Sequence, residues 1–327
     1  MKGGEKVRNR EENKKFYVAI LAAGQSKRMN SKISKVLHLL AGRPLLSYCI
    51  DIAKALNPDE IFVVVGGPHK NAVIEHFKDA GVTFVEQKEP LGTGDAVMTV
   101  RDHVDPNSNL FVMPGDAPLL KKDTARSLVD FHIGRGAIAT VLTTEHPNPH
   151  GYGRIIRSVG DRIMMIVEEA DAFPEEKEIK EINSGFYVFE SEWLFKWLSE
   201  IRPDNRQKEY YLTDVIEILQ RRIGGVYAYK IEDWKETIGV NTRQDLAMAE
   251  EIMQERIVNC WTQRGVTFVR PQQVYVEYDV EIGQDTLIYP FVSLLGKTKI
   301  GSDVTIGPGI ILKDANIESG AVIWKKK

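Results

Sequence analysis

The last fifty residues constrain the fold of this chain more tightly than any other part. After Val274 an aliphatic residue recurs every six positions: Ile282, Ile288, Leu294, Ile300, Ile306 and Leu312. Val280 and Gly283, Gly301 and Gly307 accompany them, and Ile317 and Ile323 continue the series after a one-residue slip. A β-sandwich, with turn signals every ~8–12 residues, does not keep this beat. A parallel β-helix does, because each hexad forms one face of a triangular coil with its aliphatic residue at the axis. Three hexads close a coil of about eighteen residues, so residues 274–327 supply roughly three coils. So short a stack buries little surface by itself.

Ahead of it the texture differs. Between Phe16 and Val100, short runs rich in Val, Ile and Phe (16–22, 60–66 and 82–87) alternate with segments of helical spacing (44–55, 71–80 and 93–100). This alternation predicts βαβ units around a mostly parallel sheet, an α/β, Rossmann-like layout. Residues 110–116 read as another buried strand, ending on Asp116, and open α/β sheets bind ligands at the carboxyl ends of their strands. Further strands are predicted over 137–143, 153–157, 163–167, 181–189 and 226–231, with helices over 193–201, 212–222 and 242–264. Thr242 is the expected N-cap of the last helix, and the loop 145–152 is expected to wall the pocket. The chain thus divides into a polar, disordered tail (1–15), an α/β domain (16–250), a linking helix and connection (251–273) and the β-helix (274–327).

The first strand runs into a small-residue loop, Leu21-Ala22-Ala23-Gly24-Gln25-Ser26-Lys27-Arg28, with Lys35 shortly after. Backbone N–H groups of such a loop can approach a polyphosphate while Arg28 and Lys35 neutralise it. It is not a Walker loop, because the chain holds no GxxxxGK[ST] string. In Leu91-Gly92-Thr93-Gly94, two glycines precede a helix, where backbone can lie flat against a planar base. Gln87 offers an amide with a donor face and an acceptor face, suited to a pyrimidine edge. Each feature also has a plain structural reading: Thr93 and Asp116 as helix caps, Asn241 as a turn or cap, Glu168 as a solvated loop residue.

In combination these strings resemble the sugar-phosphate nucleotidyltransferases, and among them the uridylyltransferase half of the bifunctional bacterial GlmU family. The resemblance runs in order through Lys35-Val36-Leu37-His38, Leu40-Ala41-Gly42, Leu91 to Gly94, Gly115-Asp116-Ala117-Pro118-Leu119 and Gly151-Tyr152-Gly153-Arg154-Ile155. It continues through Ile166-Val167-Glu168-Glu169, Glu181-Ile182-Asn183-Ser184-Gly185, Glu209-Tyr210-Tyr211-Leu212-Thr213-Asp214 and Gly239-Val240-Asn241. It implies transfer of a uridylyl group from UTP to N-acetylglucosamine 1-phosphate, without a protein nucleophile, giving UDP-N-acetylglucosamine and pyrophosphate. It also implies that Asp116 and Asn241 hold Mg2+ while Arg28 and Lys35 act on the triphosphate. Leu21, Ala22, Ala23, Gly24, Gln87, Leu91, Gly92 and Thr93 would line the nucleotide site, and Gly153, Glu168 and Asn183 would receive the sugar. The β-helix would be left-handed and would join copies into a homo-oligomer, a trimer ahead of other states.

Two other readings keep the fold: a different sugar 1-phosphate or dTTP as substrate, or a non-catalytic regulatory subunit. A regulatory subunit would be expected to have lost Asp116 or the cations, which are present. Three departures from the family stand out. Ser26-Lys27 replaces Gly-Thr, Ser34 replaces the Pro before the catalytic lysine, and the long β-helix carrying acetyl transfer is not matched, so no acetyltransferase activity is expected.

A formal net charge of −3 gives no basic excess for nucleic acid or an anionic membrane. No stretch approaches the ~20 apolar residues of a membrane span, and the N-terminus lacks the apolar core of a signal peptide. A cytoplasmic location is expected. Cys49 and Cys260 lie in no CxxC or Cys/His cluster and read as buried free thiols.

Overall fold

The computed structural model describes residues 14–24 and 27–324. All but the last two residues of the expected tail lie outside these, as do Gln25 and Ser26. Two compact units form. The first runs to Leu37 and again from Leu45 to Asn241; the second takes His38–Pro44 and the chain from Thr242.

The strands in chain order are β1 (Lys15–Leu21), β2 (Leu39–Leu40), β3 (Arg43–Pro44), β4 (Glu60–Gly66), β5 (Thr83–Gln87), β6 (Ser108–Pro114), β7 (Ala139–Glu145), β8 (Arg154–Arg157), β9 (Ile163–Val167), β10 (Glu181–Glu190) and β11 (Val226–Ile231). The α-helices are α1 (Leu45–Ala55), α2 (Lys70–Phe77), α3 (Thr93–Met98), α4 (Lys122–Arg135), α5 (Pro174–Lys177), α6 (Ser191–Leu198), α7 (Leu212–Arg222) and α8 (Arg243–Gln263).

The first unit is one sheet ordered β11-β7-β10-β6-β1-β4-β5, with β8 and β9 attached through β10. β1 lies between β4 and β6, both parallel to it. Its apolar run alternates between the two faces: Tyr17 and Ala19 join one core with Phe62, Val64, Leu110 and Val112, while Val18 and Ile20 join another with Val63, Phe111 and Met113. A strand buried on both sides has no polar face to show, so it reads as a continuous hydrophobic run. β10 is antiparallel to β6 and β7. Its start therefore lies at the sheet edge where β6 ends.

Helix α4 has no counterpart in the sequence reading. Only Ala125, Leu128, Val129 and His132 of its fourteen residues are buried, so its apolar stripe is too thin to announce itself. Helix α8 begins as expected: Thr242 Oγ1 accepts from Asp245 N–H, and the Asp245 carboxylate accepts from Thr242 N–H. That reciprocal cap makes α8 one element, and it belongs to the second unit from its first residue. A boundary after residue 250 would cut through it. Cys49 is buried in α1, but Cys260 is exposed on α8, so only one of the two expected buried thiols is buried. The reason is that Ile252, Met253, Ile257 and Val258 form the covered stripe of α8. Among the described residues no helix is long and apolar enough to cross a membrane.

In the second unit the hexads form a short left-handed parallel β-helix of three sheets, one per face. One face stacks Phe268, Ile288, Ile306 and Ile323; the others stack Val276, Leu294 and Leu312, and Ile282, Ile300 and Ile317. The coil starts earlier than the hexad count suggests, at Thr267, because Phe268 fills an axial position outside the six-residue beat. Asp285 and Asp303 (both φ +60°) turn successive coils at corresponding corners.

Candidate active site

The carboxyl ends of β1, β4, β5 and β6 share one edge of the sheet, and the site assembles there. Leu21 C=O accepts from Gly115 N–H at 2.9 Å and Ala22 N–H donates to Val64 C=O at 2.8 Å, which ties the loop after β1 to its two neighbours. Ala22 and Ala23 are buried. A Cβ on Gly66 would stand 3.1 Å from Ala23 Cβ and 2.9 Å from Gln87 C=O, so these strand ends converge closely.

Asp116 follows β6 directly. Val240 N–H donates to its C=O at 2.8 Å, which sets Asn241 beside it. The Lys35 ammonium donates to Asp116 Oδ2 and, at 2.9 Å, to Asn241 Oδ1. Arg28 Nη2 donates to the same Asn241 oxygen at 3.0 Å. The Lys35 and Asp116 side chains are only 13% and 17% exposed, so their pairing is stronger than a surface ion pair. A positive charge thus already bridges a carboxylate oxygen and an amide oxygen. These are the hard oxygen donors that Mg2+ takes, so the pair has the chemistry to hold a divalent ion. Mg2+ keeps most of its ligands from phosphate and water, so two protein oxygens would suffice to hold it. Lys27, one of the departures noted above, has no described side chain.

The nucleotide candidates have mixed placements. Gln87 is buried, and its Nε2 donates to Gly92 C=O (3.1 Å) and Asp95 Oδ2 (2.7 Å). Both partners are acceptors, so the amide orientation is settled and Oε1 is what remains for a ligand. The donor face expected for the pyrimidine is spent inside the protein. Gly92 (φ +124°) turns its Cα face toward Tyr210. Gly94 N–H donates to Tyr210 C=O and Tyr210 N–H to Leu91 C=O, at 2.8 and 2.7 Å. The glycines therefore let two backbones pack together, whatever else the loop binds. Thr93 Oγ1 accepts from Leu212 N–H at 3.0 Å, capping α7 rather than its own helix. Leu91 is 40% exposed.

The sugar candidates meet one another. A Cβ on Gly153 would lie 3.4 Å from Glu168 Oε2 and 3.5 Å from Asn183 Cβ, and Gly153 C=O accepts from Asn183 N–H at 2.8 Å. Glu168 Oε1 accepts from Thr213 Oγ1–H at 3.0 Å. Burial pushes the Glu168 carboxyl above its usual range, with the charges of Asp171 and Glu209 adding to it. Burial likewise raises Asp214 to about 6, helped by Glu168, Asp171 and Glu217. Sequence reading assigned no role to Tyr187, Tyr210 or Thr213. The last two stand in the string Glu209–Asp214, whose presence in the family resemblance was the available signal.

Residues 18–172 match the MobA-like NTP transferase domain, and residues 279–309 match the bacterial transferase hexapeptide (six repeats). The chain is 43% identical over 306 residues to the bifunctional protein GlmU of Alkaliphilus metalliredigens, covering 94% of this chain and 67% of that protein. The chain belongs to the GlmU family. GlmU of Halalkalibacterium halodurans is 44% identical over 302 residues, covering 92% and 66%. This chain therefore spans about two thirds of the length of its GlmU relatives. Two solved structures share its fold: a putative glucose-1-phosphate thymidylyltransferase from Bacillus anthracis (TM-score 0.61, 21% identity, 72% of this chain and 94% of that one) and a UDP-glucose pyrophosphorylase (TM-score 0.62, 18%, 74% and 99%). As a GlmU-family member with this domain, the chain is a sugar-1-phosphate nucleotidyltransferase.

Proposed function

We propose that this chain makes UDP-N-acetylglucosamine and pyrophosphate from UTP and N-acetylglucosamine 1-phosphate. The carrying observation is that Arg28, Lys35, Asp116 and Asn241 converge on one corner of the strand edge that also holds Gly153, Glu168 and Asn183. In this reading a phosphate oxygen of the sugar 1-phosphate attacks the α-phosphorus of UTP in line. The bond to the bridging oxygen breaks, and pyrophosphate leaves with the electron pair. Mg2+ held by Asp116 and Asn241 would neutralise phosphoryl oxygens when bound. Arg28 and Lys35, held ready on Asn241 Oδ1, offset the charge that spreads over the transferring group. Gln87 Oε1 accepts the imide N–H of uracil over a floor of Leu21, Ala22, Ala23, Gly24 and the backbone of Leu91 to Thr93. Glu168 takes a sugar hydroxyl, Gly153 N–H supports the ring, and Asn183 pairs with the acetamido group. Positioning does the rest, since no proton need be moved by the protein.

Pyrophosphate release with UTP and Mg2+, measured across N-acetylglucosamine, glucosamine, glucose and N-acetylgalactosamine 1-phosphates, tests the reading. Selective release with the first supports it. Release with another sugar keeps the mechanism and overturns the pocket assignment, whereas silence with all sugars and with dTTP favours a regulatory subunit. We assign the β-helix to self-association, a trimer expected; light scattering that returns a monomer at micromolar concentration would overturn that assignment.

A further inference from the structure

We infer that the buried phenol of Tyr187 sets the sugar specificity of this site by pinning the amide of Asn183, whose orientation Gly185 N–H sets, where it reads an N-acetyl group. The inference rests on the reading that Asn183 faces the sugar. Asn183 Nδ2 donates to Tyr187 Oη at 2.7 Å, and Asn183 Oδ1 accepts from Gly185 N–H at 3.2 Å. A backbone N–H can only donate, so the oxygen must face Gly185 and the nitrogen must face Tyr187. With those bonds made, the amide keeps one N–H and one lone pair of Oδ1, which match the C=O and N–H of an acetamido group.

The phenol suits this task because it does not move. Tyr187 is 4% exposed and stacks on Phe189 with ring centroids 5.5 Å apart. Its ring belongs to the core built on Val112, Tyr17 and Leu212. The backbone explains why residues 183 and 187 can meet. The β10–β7 register shifts between them, and Gly185 (φ +84°) sits in the irregular stretch. Gly185 N–H sets which amide atom points which way, and the phenol, able to donate or accept, pins the other end of the amide in place. Burial pushes the Tyr187 phenol far above its ordinary range, and the Glu168 charge adds to that.

A site that spends buried hydrogen bonds on a substituent rejects analogues lacking it, because its own polar groups are then left unpaired. Discrimination between N-acetylglucosamine 1-phosphate and glucose 1-phosphate should therefore depend on Tyr187 Oη. Tyr187→Phe removes only that oxygen. Its expected effect is an increase in KM for the N-acetyl sugar of about 3–10-fold, the size of one orienting hydrogen bond. The kcat/KM for glucose 1-phosphate and the KM for UTP should change less than about twofold, so the selectivity ratio falls. The same substitution in an Asn183→Ala background should leave the ratio where Asn183→Ala alone puts it.

An unchanged ratio, an equal loss with both sugars, or a further fall in the Asn183→Ala background would each overturn the inference. A wild-type enzyme without preference for the N-acetyl sugar would overturn the underlying reading as well. That outcome shows in the wild type before any variant is compared.

Discussion

Gly92→Ala tests the central packing relation of the site. Gly92 has φ +124° and ψ 177°, a region that costs a residue with a side chain about 1–3 kcal/mol. The added Cβ would also lie 2.5 Å from Tyr210 O and 2.7 Å from Tyr210 N, against backbone that cannot swing aside. Relief requires residues 209–211 to withdraw. That movement breaks Tyr210 N–H to Leu91 C=O and Gly94 N–H to Tyr210 C=O, each worth about 0.5–1.5 kcal/mol. The total comes to about 2–6 kcal/mol. Urea unfolding measures it, and Gly134→Ala is the internal control: that glycine lies in α4 with open space at its Cβ, so alanine should stabilise by about 0.5–1 kcal/mol. A functional effect follows the structural one, because withdrawal of Tyr210 also disturbs Thr93 and the start of α7. The KM values for UTP and for the sugar phosphate should rise together. A Gly92→Ala protein within about 1 kcal/mol of wild type would refute the reasoning.

Asp116→Ala should lower turnover by about 100-fold or more and also lower the thermal melt, because the largely buried Lys35 ammonium loses its carboxylate partner. Chelation of divalent ions should abolish pyrophosphate release and added Mg2+ should restore it; activity that survives chelation would refute the assignment of Asp116 and Asn241. Asp214 gives a prediction in pH. Its folded pKa is raised from 3.8 to about 6, so the folded state binds the proton more tightly and stability is lost as pH rises through that window. Asp214→Asn should therefore be more stable than wild type at pH ~7.5, by about 1–2 kcal/mol once solvent screening of this half-buried group is allowed for, with the gap closing toward pH ~4. A gap that does not narrow on acidification would point to a cause other than the buried charge.

The legible parts of this protein were those that repeat or alternate. Six-residue periodicity announces the β-helix because every axial position needs an aliphatic residue, and it misses only Phe268, where the first coil is irregular. β1, β4 and β6 are visible because strands buried on two faces need unbroken apolar runs. Helix α4 is hidden because most of its surface is solvated. At the site, Arg28, Lys35 and Asp116 could be picked out as chemistry-bearing residues near strand ends and loops, and Asn241 through the family resemblance. That Lys35 and Arg28 would share one amide oxygen could not, because Asn241 lies some two hundred positions away. Gln87 shows the opposite limit. Its type was informative, yet only its neighbours reveal that the donor half of its amide is spent on Gly92 and Asp95.

The entry to helix α7 explains why a nucleotide loop and a sugar pocket behave as one device. Tyr211 supplies no side-chain cap, so Leu212 N–H is satisfied from the nucleotide side, by Thr93 Oγ1. The next residue, Thr213, turns its hydroxyl to Glu168 on the sugar side. Tyr210, just before them, is clamped on both its N–H and its C=O by the loop Leu91–Gly94. Four consecutive residues thus set the distance between the groups that would hold the two substrates. In-line displacement gains its rate from alignment, and a misplacement of about 1 Å can cost 100-fold. The string Glu209–Asp214 therefore need not touch either substrate to control the reaction: it holds the two halves of the pocket in register.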